Sequence, residues 1–277
     1  MSTNATNDSQ TSSESSHVQG DDVDHLFADA ESACTRSDVL EAIRLLRPLA
    51  ERGHAESQNL LGEIYEAGGG LVPQDLPAAF QLYLKAAEHG LADAQVALGY
   101  LCLEGEVFPR DLPQALAWLQ KAADQGHAYG AFSLGELYRS GVGIPVDHKR
   151  AFLSFSKAAE QGLPEAQYAV GVAYMGGRGV KRNDRRAFEW VSKAAAQGYP
   201  EAQGLLGTMY ATGQGVRKSR KLSIDWLCAA ADQGLADAQY VLDVLVPDKI
   251  NGPRVPDGVV PSVVTLMQQL GIKGRVP

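Results

Sequence analysis

The sequence predicts an all-α fold of stacked helical hairpins, about 36 residues per repeat, and three observations carry that expectation. Gly62 sits in a Leu-Gly-x-x-Tyr run whose glycine returns at Gly99, Gly135, Gly171 and Gly207 and gives way to Asp243, in one step of 37 and then steps of 36. A second series, Gly53, Gly90, Gly126, Gly162, Gly198 and Gly234, closes one apolar helical segment per period. A third is the Lys-Ala-Ala run that begins at Lys85, Lys121, Lys157 and Lys193. A fixed period of this length is the signature of repeats that stack to share a core.

Each unit reads as two helices. In residues 55–67 the positions Gln58, Leu61, Gly62 and Tyr65 recur at i, i+3, i+4 and i+7, which is one face of a helix. Glycine inside a helix costs roughly 1 kcal/mol relative to alanine. Its return in every unit therefore points to close approach of a neighbouring helix. The second helix runs from about residue 75 to 89, with N-caps expected at Asp75, Asp111, Asp147 and Asp184. Between the helices lies a glycine-rich turn such as Gly176-Gly177-Arg178-Gly179-Val180.

Together, Ala-x-x-Gln-x-x-Leu-Gly-x-x-Tyr, Gly-x-Gly-Val and Lys-Ala-Ala-x-x-Gly resemble the Sel1-like repeat (SLR) family, relatives of the tetratricopeptide repeats, over residues 38–246. The resemblance implies a right-handed α-solenoid that binds other proteins, often as an adaptor, with no chemistry of its own. Three positions depart from the pattern: Cys102 for tyrosine, Ala131 for glutamine and Asp243 for glycine. The last falls in the terminal repeat, where atypical capping residues are expected.

In chain order, residues 1–21 are Ser, Thr, Asn, Gln and Asp with little to bury, so a disordered polar tail is expected. A solvated tail and an uncleaved export signal share that composition. Residues 22–52 read as an N-terminal capping hairpin, with a helix starting at Val23 and a capping-box pattern at Ser37-Asp38-Val39-Leu40-Glu41 whose glutamate falls one position late. Its second helix, 40–51, stops at Gly53. Residues 53–246 form the repeat solenoid. Residues 247–277 read as a linker broken by proline and glycine, followed by a short capping helix over 261–270.

Composition narrows the function. Cys34, Cys102 and Cys228 are too few and too scattered for a disulfide framework and read as free thiols. His54, His89 and His127 lie one per inter-hairpin turn, which makes no zinc site. Neither a phosphate loop nor a nucleophile elbow occurs, so the chain reads as a non-enzyme with no cofactor or metal. No run reaches the roughly 18 apolar residues of a membrane span. The start lacks the charged and apolar regions of a secretory signal, so a cytoplasmic location is expected, with secretion without a cleaved signal as the alternative. A net charge of −8 and pI near 5.3 argue against nucleic acid.

Binding is sought where the repeat signature leaves residues free. On the first helices a second stripe, about 100° from the core stripe, carries Val96 and Tyr100, then Phe132, Glu136 and Arg139, then Tyr168, Val172 and Met175. Such residues either line a protein-binding groove or pack between repeats. Charge supplies the other signal. Residues 1–140 carry 21 acidic and 8 basic side chains, whereas residues 141–277 carry 12 acidic and 17 basic ones. The basic residues fall at equivalent turns: Lys149 and Arg150; Arg178, Lys181, Arg182, Arg185 and Arg186; Arg217, Lys218, Arg220 and Lys221. They read as a solvated ridge or as a basic edge that steers a protein partner with an acidic surface. The function expected is a protein–protein interaction scaffold, probed against two alternatives: a secreted effector or virulence-associated protein that binds a host protein, and a toxin-immunity protein.

Overall fold

The computed structural model describes residues 11–105 and 109–245. Thirteen helices occupy them: α1 Thr11–Thr35, α2 Val39–Glu51, α3 Ala55–Ala67, α4 Leu76–Glu88, α5 Ala92–Glu104, α6 Leu112–Asp124, α7 Ala128–Ser140, α8 His148–Glu160, α9 Pro164–Gly176, α10 Asp184–Ala196, α11 Pro200–Thr212, α12 Arg220–Asp232 and α13 Ala236–Leu245. Among the described residues the β-pairing is one isolated bridge, Gly69 to Val72. The chain divides into two units, residues 1–127 and 128–277. Each is a stack of antiparallel hairpins in which every helix packs on its neighbours in sequence. The fold is an α-solenoid.

Sequence dictates the hairpin through five contacts of one kind. A Cβ added to Gly62, Gly99, Gly135, Gly171 or Gly207 would lie 2.5–2.8 Å from the side chain of Tyr83, Leu119, Phe155, Val191 or Leu227 respectively. Missing that atom, the first helix settles directly onto a large residue of the second. Those five partners are themselves buried. Burying each contributes about 1.5–3 kcal/mol, which outweighs the helix-propensity cost of the glycine.

Glutamines bind hairpin to hairpin. Gln58, Gln95, Gln167 and Gln203 each donate Nε2 to a carbonyl of the preceding helix, at Ala50, Ala87, Ala159 and Ala195 (2.9–3.4 Å). Their own oxygens accept from the residue that closes the following hairpin: Gln125 to Gln95, Gln197 to Gln167 and Gln233 to Gln203, at 2.8–2.9 Å. Two rungs are missing. Ala131 has no amide to offer, and Gln161 turns to the Lys157 carbonyl instead. In the first repeat His89 stands where later repeats have glutamine, its Nδ1 2.8 Å from the Lys85 carbonyl. Gln58 Oε1 is buried with no partner.

Helix ends follow the sequence closely. Glycines at 53, 90, 126, 162, 198 and 234 all adopt φ between 87° and 96°, the left-handed turn that separates hairpins. Asp75, Asp111 and Asp147 cap α4, α6 and α8 through backbone N–H groups. The fourth cap corrects the sequence reading. Asn183, not Asp184, caps α10, and its Oδ1 accepts from the Arg186 N–H at 3.0 Å. The 36-residue step from Asp147 lands on 183, and Asp184 is the first helical residue. A one-residue shift also corrects the α2 start. Asp38 is the N-cap and accepts from the Glu41 N–H, which places Glu41 at N3, while Ser37 turns the chain at φ 61°.

Helix α1 spans Thr11–Thr35, so its first turns run through the stretch read as a polar tail. Once a helix is nucleated, each added residue gains a hydrogen bond, and Ser, Thr and Gln lower its propensity by only about half a kcal/mol each. Residues 1–10 lie outside the described residues. So does 246–277, which contains the expected linker and capping helix.

Candidate functional site

In the second unit, α7, α8 and α9 enclose a cavity of about 600 Å³ that is partly open to solvent. Phe132, Glu136 and Arg139 of α7 face it at i, i+4 and i+7, and Glu165, Tyr168 and Val172 of α9 face it at i, i+3 and i+7. Helix α8 supplies His148, Phe152 and Phe155. Arg178 from the turn after α9 and Tyr199, the N-cap residue of α11, complete the charged and aromatic lining. Small residues Ala151, Ala169 and Ala173 keep the space open.

The rings are arranged in pairs. Phe132 and Phe155 meet at 5.6 Å between centroids, and Tyr168 and Tyr199 meet at 5.5 Å. Both phenols resist ionisation. Burial raises the Tyr168 pKa first, with the charges of Glu201 and Asp237 adding to it. Tyr199 is pushed up to about 12, chiefly by burial and then by Glu201, Tyr168 and Glu165. Arg139 is held by Glu136 in a two-pronged ion pair at 2.9 and 2.6 Å. Glu165 is different: its Oε2 is buried and has no hydrogen-bond partner.

Five of the eight stripe residues therefore come together: Phe132, Glu136, Arg139, Tyr168 and Val172. Met175 is half-buried and lies outside the cavity lining. Val96 and Tyr100 belong to the first unit. Tyr100 is 41 % exposed, as a binding residue requires, but Val96 is only 8 % exposed and is a core residue. The reason lies in α5, which packs against both α4 and α6 and buries residues on more than one face, including Leu98 and Leu101. Sequence reasoning missed Phe152, Phe155, Glu165 and Tyr199. A visible signal existed for Tyr199, since Leu91, Leu163 and Leu235 occupy its position in other repeats.

All eleven residues of the expected basic edge are exposed. Their turns pack on one another: a Cβ on Gly179 would lie 1.9 Å from the His148 carbonyl oxygen, and one on Gly215 would lie 2.0 Å from that of Asp184. Arg150, Arg182 and Arg185 pair with Asp147, Asp184 and Glu189 at 3.5, 3.1 and 3.5 Å. The hydrogen bonds from Arg182 hold the Asp184 carboxyl below its usual range. Arg186 donates to the Tyr174 hydroxyl at 3.1 Å and lies over its ring. Among the described residues no group of three or more His, Cys, Asp and Glu is placed to hold a metal, and no helix is long and apolar enough to cross a membrane.

Helical hairpins coupled by periodic glycine and glutamine contacts define a helical-repeat protein. The Sel1 repeat model matches residues 55–91, 92–127, 128–163, 164–199 and 200–235, and the chain belongs to that family. The α1–α2 hairpin precedes the matched repeats. A Sel1 repeat protein from Oxalobacter formigenes is similar at 28% identity and TM-score 0.72, over 91% of this chain and 99% of that one. A protective antigen present in uropathogenic Escherichia coli strains, with an SLR fold, is similar at 30% identity and TM-score 0.71. That match covers 90% of this chain but 56% of the antigen, so this chain spans little more than half of its length.

Proposed function

We propose that this chain is a non-catalytic protein-interaction scaffold whose binding site is the cavity bounded by α7, α8 and α9. The observation that carries the reading is the convergence of Phe132, Tyr168 and Val172 with a charged rim of Glu136, Arg139 and Arg178 on one partly open cavity. Anchor pockets in protein interfaces have that composition: aromatic walls that exclude water, ringed by polar groups that fix orientation. The basic edge adds long-range attraction for a partner with an acidic surface, and such attraction speeds encounter more than it tightens the complex.

Affinity capture from native lysate with the wild type and with Phe132→Ala/Tyr168→Ala tests the reading, with circular dichroism to verify helicity. A protein retained by the wild type and lost from the folded variant is the expected result. Equal capture by both would remove the cavity as the binding site.

A further inference from the structure

Two positions at the mouth of the cavity change character between one repeat and the next. In the later repeat they are Asp184 and Gln214, and Gln214 Nε2 donates to Asp184 Oδ1 at 3.2 Å. One period earlier the same two positions hold His148 and Arg178. Their backbones meet in the same way: the His148 carbonyl lies against Gly179 as the Asp184 carbonyl lies against Gly215. A guanidinium has donors and no acceptor, and the acid–amide contact has no counterpart here. Both side chains are exposed and line the cavity, and among the described residues neither has a hydrogen-bond or ion-pair partner.

The charge around this mouth is positive. Glu136 is matched by Arg139, which leaves Arg178 as the unmatched charge beside it. The carboxylates that disfavour the Tyr168 and Tyr199 phenolates belong to the other end of the first helices. Glu165 is in the first turn of α9 and Arg178 follows its last, so the length of that helix, about 20 Å, separates them. Behind the mouth the walls are aromatic, with Phe132, Phe152, Phe155 and Tyr168 around about 600 Å³ of space.

We infer that the mouth between His148 and Arg178 seats a carboxylate side chain of the partner, while a neighbouring aromatic side chain of the partner fills the cavity. The guanidinium and one imidazole N–H donate to the carboxylate, which supplies the acceptor that Asp184 provides in the later repeat. The ring packs against Phe132, Phe152 and Tyr168, where offset and edge-to-face contacts are favourable. The inference rests on the protein-binding reading and narrows it to an aromatic residue beside an acidic one. Arg178 is also part of the basic edge, so the acid that the edge attracts arrives where the ring can enter.

The test titrates the full chain with three probes: the Nα-acetyl amides of Phe-Glu, Phe-Gln and Ala-Glu. Ring resonances of Phe132, Phe152 and Tyr168 are followed by NMR. Saturable shifts are expected with Phe-Glu, and about tenfold weaker binding with Phe-Gln, which is what one charge-assisted hydrogen bond contributes. Ala-Glu should be weaker by at least as much, and Arg178→Gln should bind Phe-Glu no better than Phe-Gln. The wild-type ratios need no variant, so they stand even if Arg178→Gln folds poorly. Equal binding of Phe-Glu and Phe-Gln would overturn the inference, as would equal binding of Ala-Glu or no saturation by Phe-Glu. If the preference is absent while Phe132→Ala/Tyr168→Ala still loses the captured protein, the aromatic–acid motif falls and the scaffold reading stands. If Phe-Glu binds with the expected preference while capture is unchanged, the carboxylate seat stands and the scaffold reading falls.

Discussion

Gly171 and Val191 meet with no space between them: a Cβ on Gly171 would lie 2.5 Å from Val191 Cγ2. Gly171→Ala should therefore destabilise the protein by about 1–3 kcal/mol, despite alanine's better helix propensity. Gly176, the last residue of α9, has open surroundings, with its nearest neighbour at 3.5 Å. Gly176→Ala should be neutral or stabilising by up to about 1 kcal/mol. Urea unfolding of both variants checks the opposed signs. Adding Val191→Ala to Gly171→Ala should cost less than the two changes summed, because the removed methyl makes room.

The missing first rung is open to repair. His89→Gln places an amide where Gln125, Gln197 and Gln233 sit in later repeats, within reach of the orphaned Gln58 Oε1. A stability gain of about 1 kcal/mol is expected from satisfying that oxygen. Thermal unfolding would detect it, and an unchanged midpoint would show that the side chain does not reach.

Asn183 and Asp184 separate the two capping assignments. Asn183→Ala should cost about 1 kcal/mol by leaving the Arg186 N–H without its acceptor. Asp184→Asn keeps an acceptor at the first helical residue and loses only an exposed pair with Arg182, so less than about 0.5 kcal/mol is expected. A larger effect at 184 than at 183 would return the cap to the aspartate.

Alkaline titration reads the cavity directly. An ordinary tyrosine ionises near pH 10, and Tyr199 should do so near 12. The folded chain then holds a proton that the unfolded chain has lost. Its stabilising contribution is complete below about pH 10 and falls away as pH rises toward 12. Phenolate absorbance should show several late-titrating tyrosines, Tyr83, Tyr168 and Tyr199 among them, and one fewer in Tyr199→Phe, and that variant should lose less stability over the same interval.

Much of the architecture was legible because one period governs it. Glycine and glutamine positions predicted both helices of every full repeat, and the left-handed glycines predicted where hairpins end. Errors arose where that register was not applied. Asp184 was chosen for its side chain, although counting from Asp147 selects Asn183. Val96 keeps the register of Phe132 and Tyr168 and yet is only 8 % exposed. Half of the cavity escaped notice for a physical reason: only first helices were searched, and Phe152 and Phe155 come from α8. Glu165 sits in the first turn of α9, where an acid complements the helix N-terminus, and only the three-dimensional surroundings reveal its unpaired oxygen.

Because successive repeats use the same contacts at the same spacing, chain length is a variable that can change in whole units. Excision of residues 164–199 would join Leu163 to Pro200 and bring Gln203 to the Ala159 carbonyl in place of that of Ala195. Gly215 would then face the His148 carbonyl as Gly179 does now. Both junctions would already be complementary, so the loss or duplication of one unit needs no compensating mutation at the seam. Such an excision would remove Glu165 and Tyr168 intact with their repeat. Recognition in this architecture can thus be gained or lost by unequal recombination, in a single genetic event.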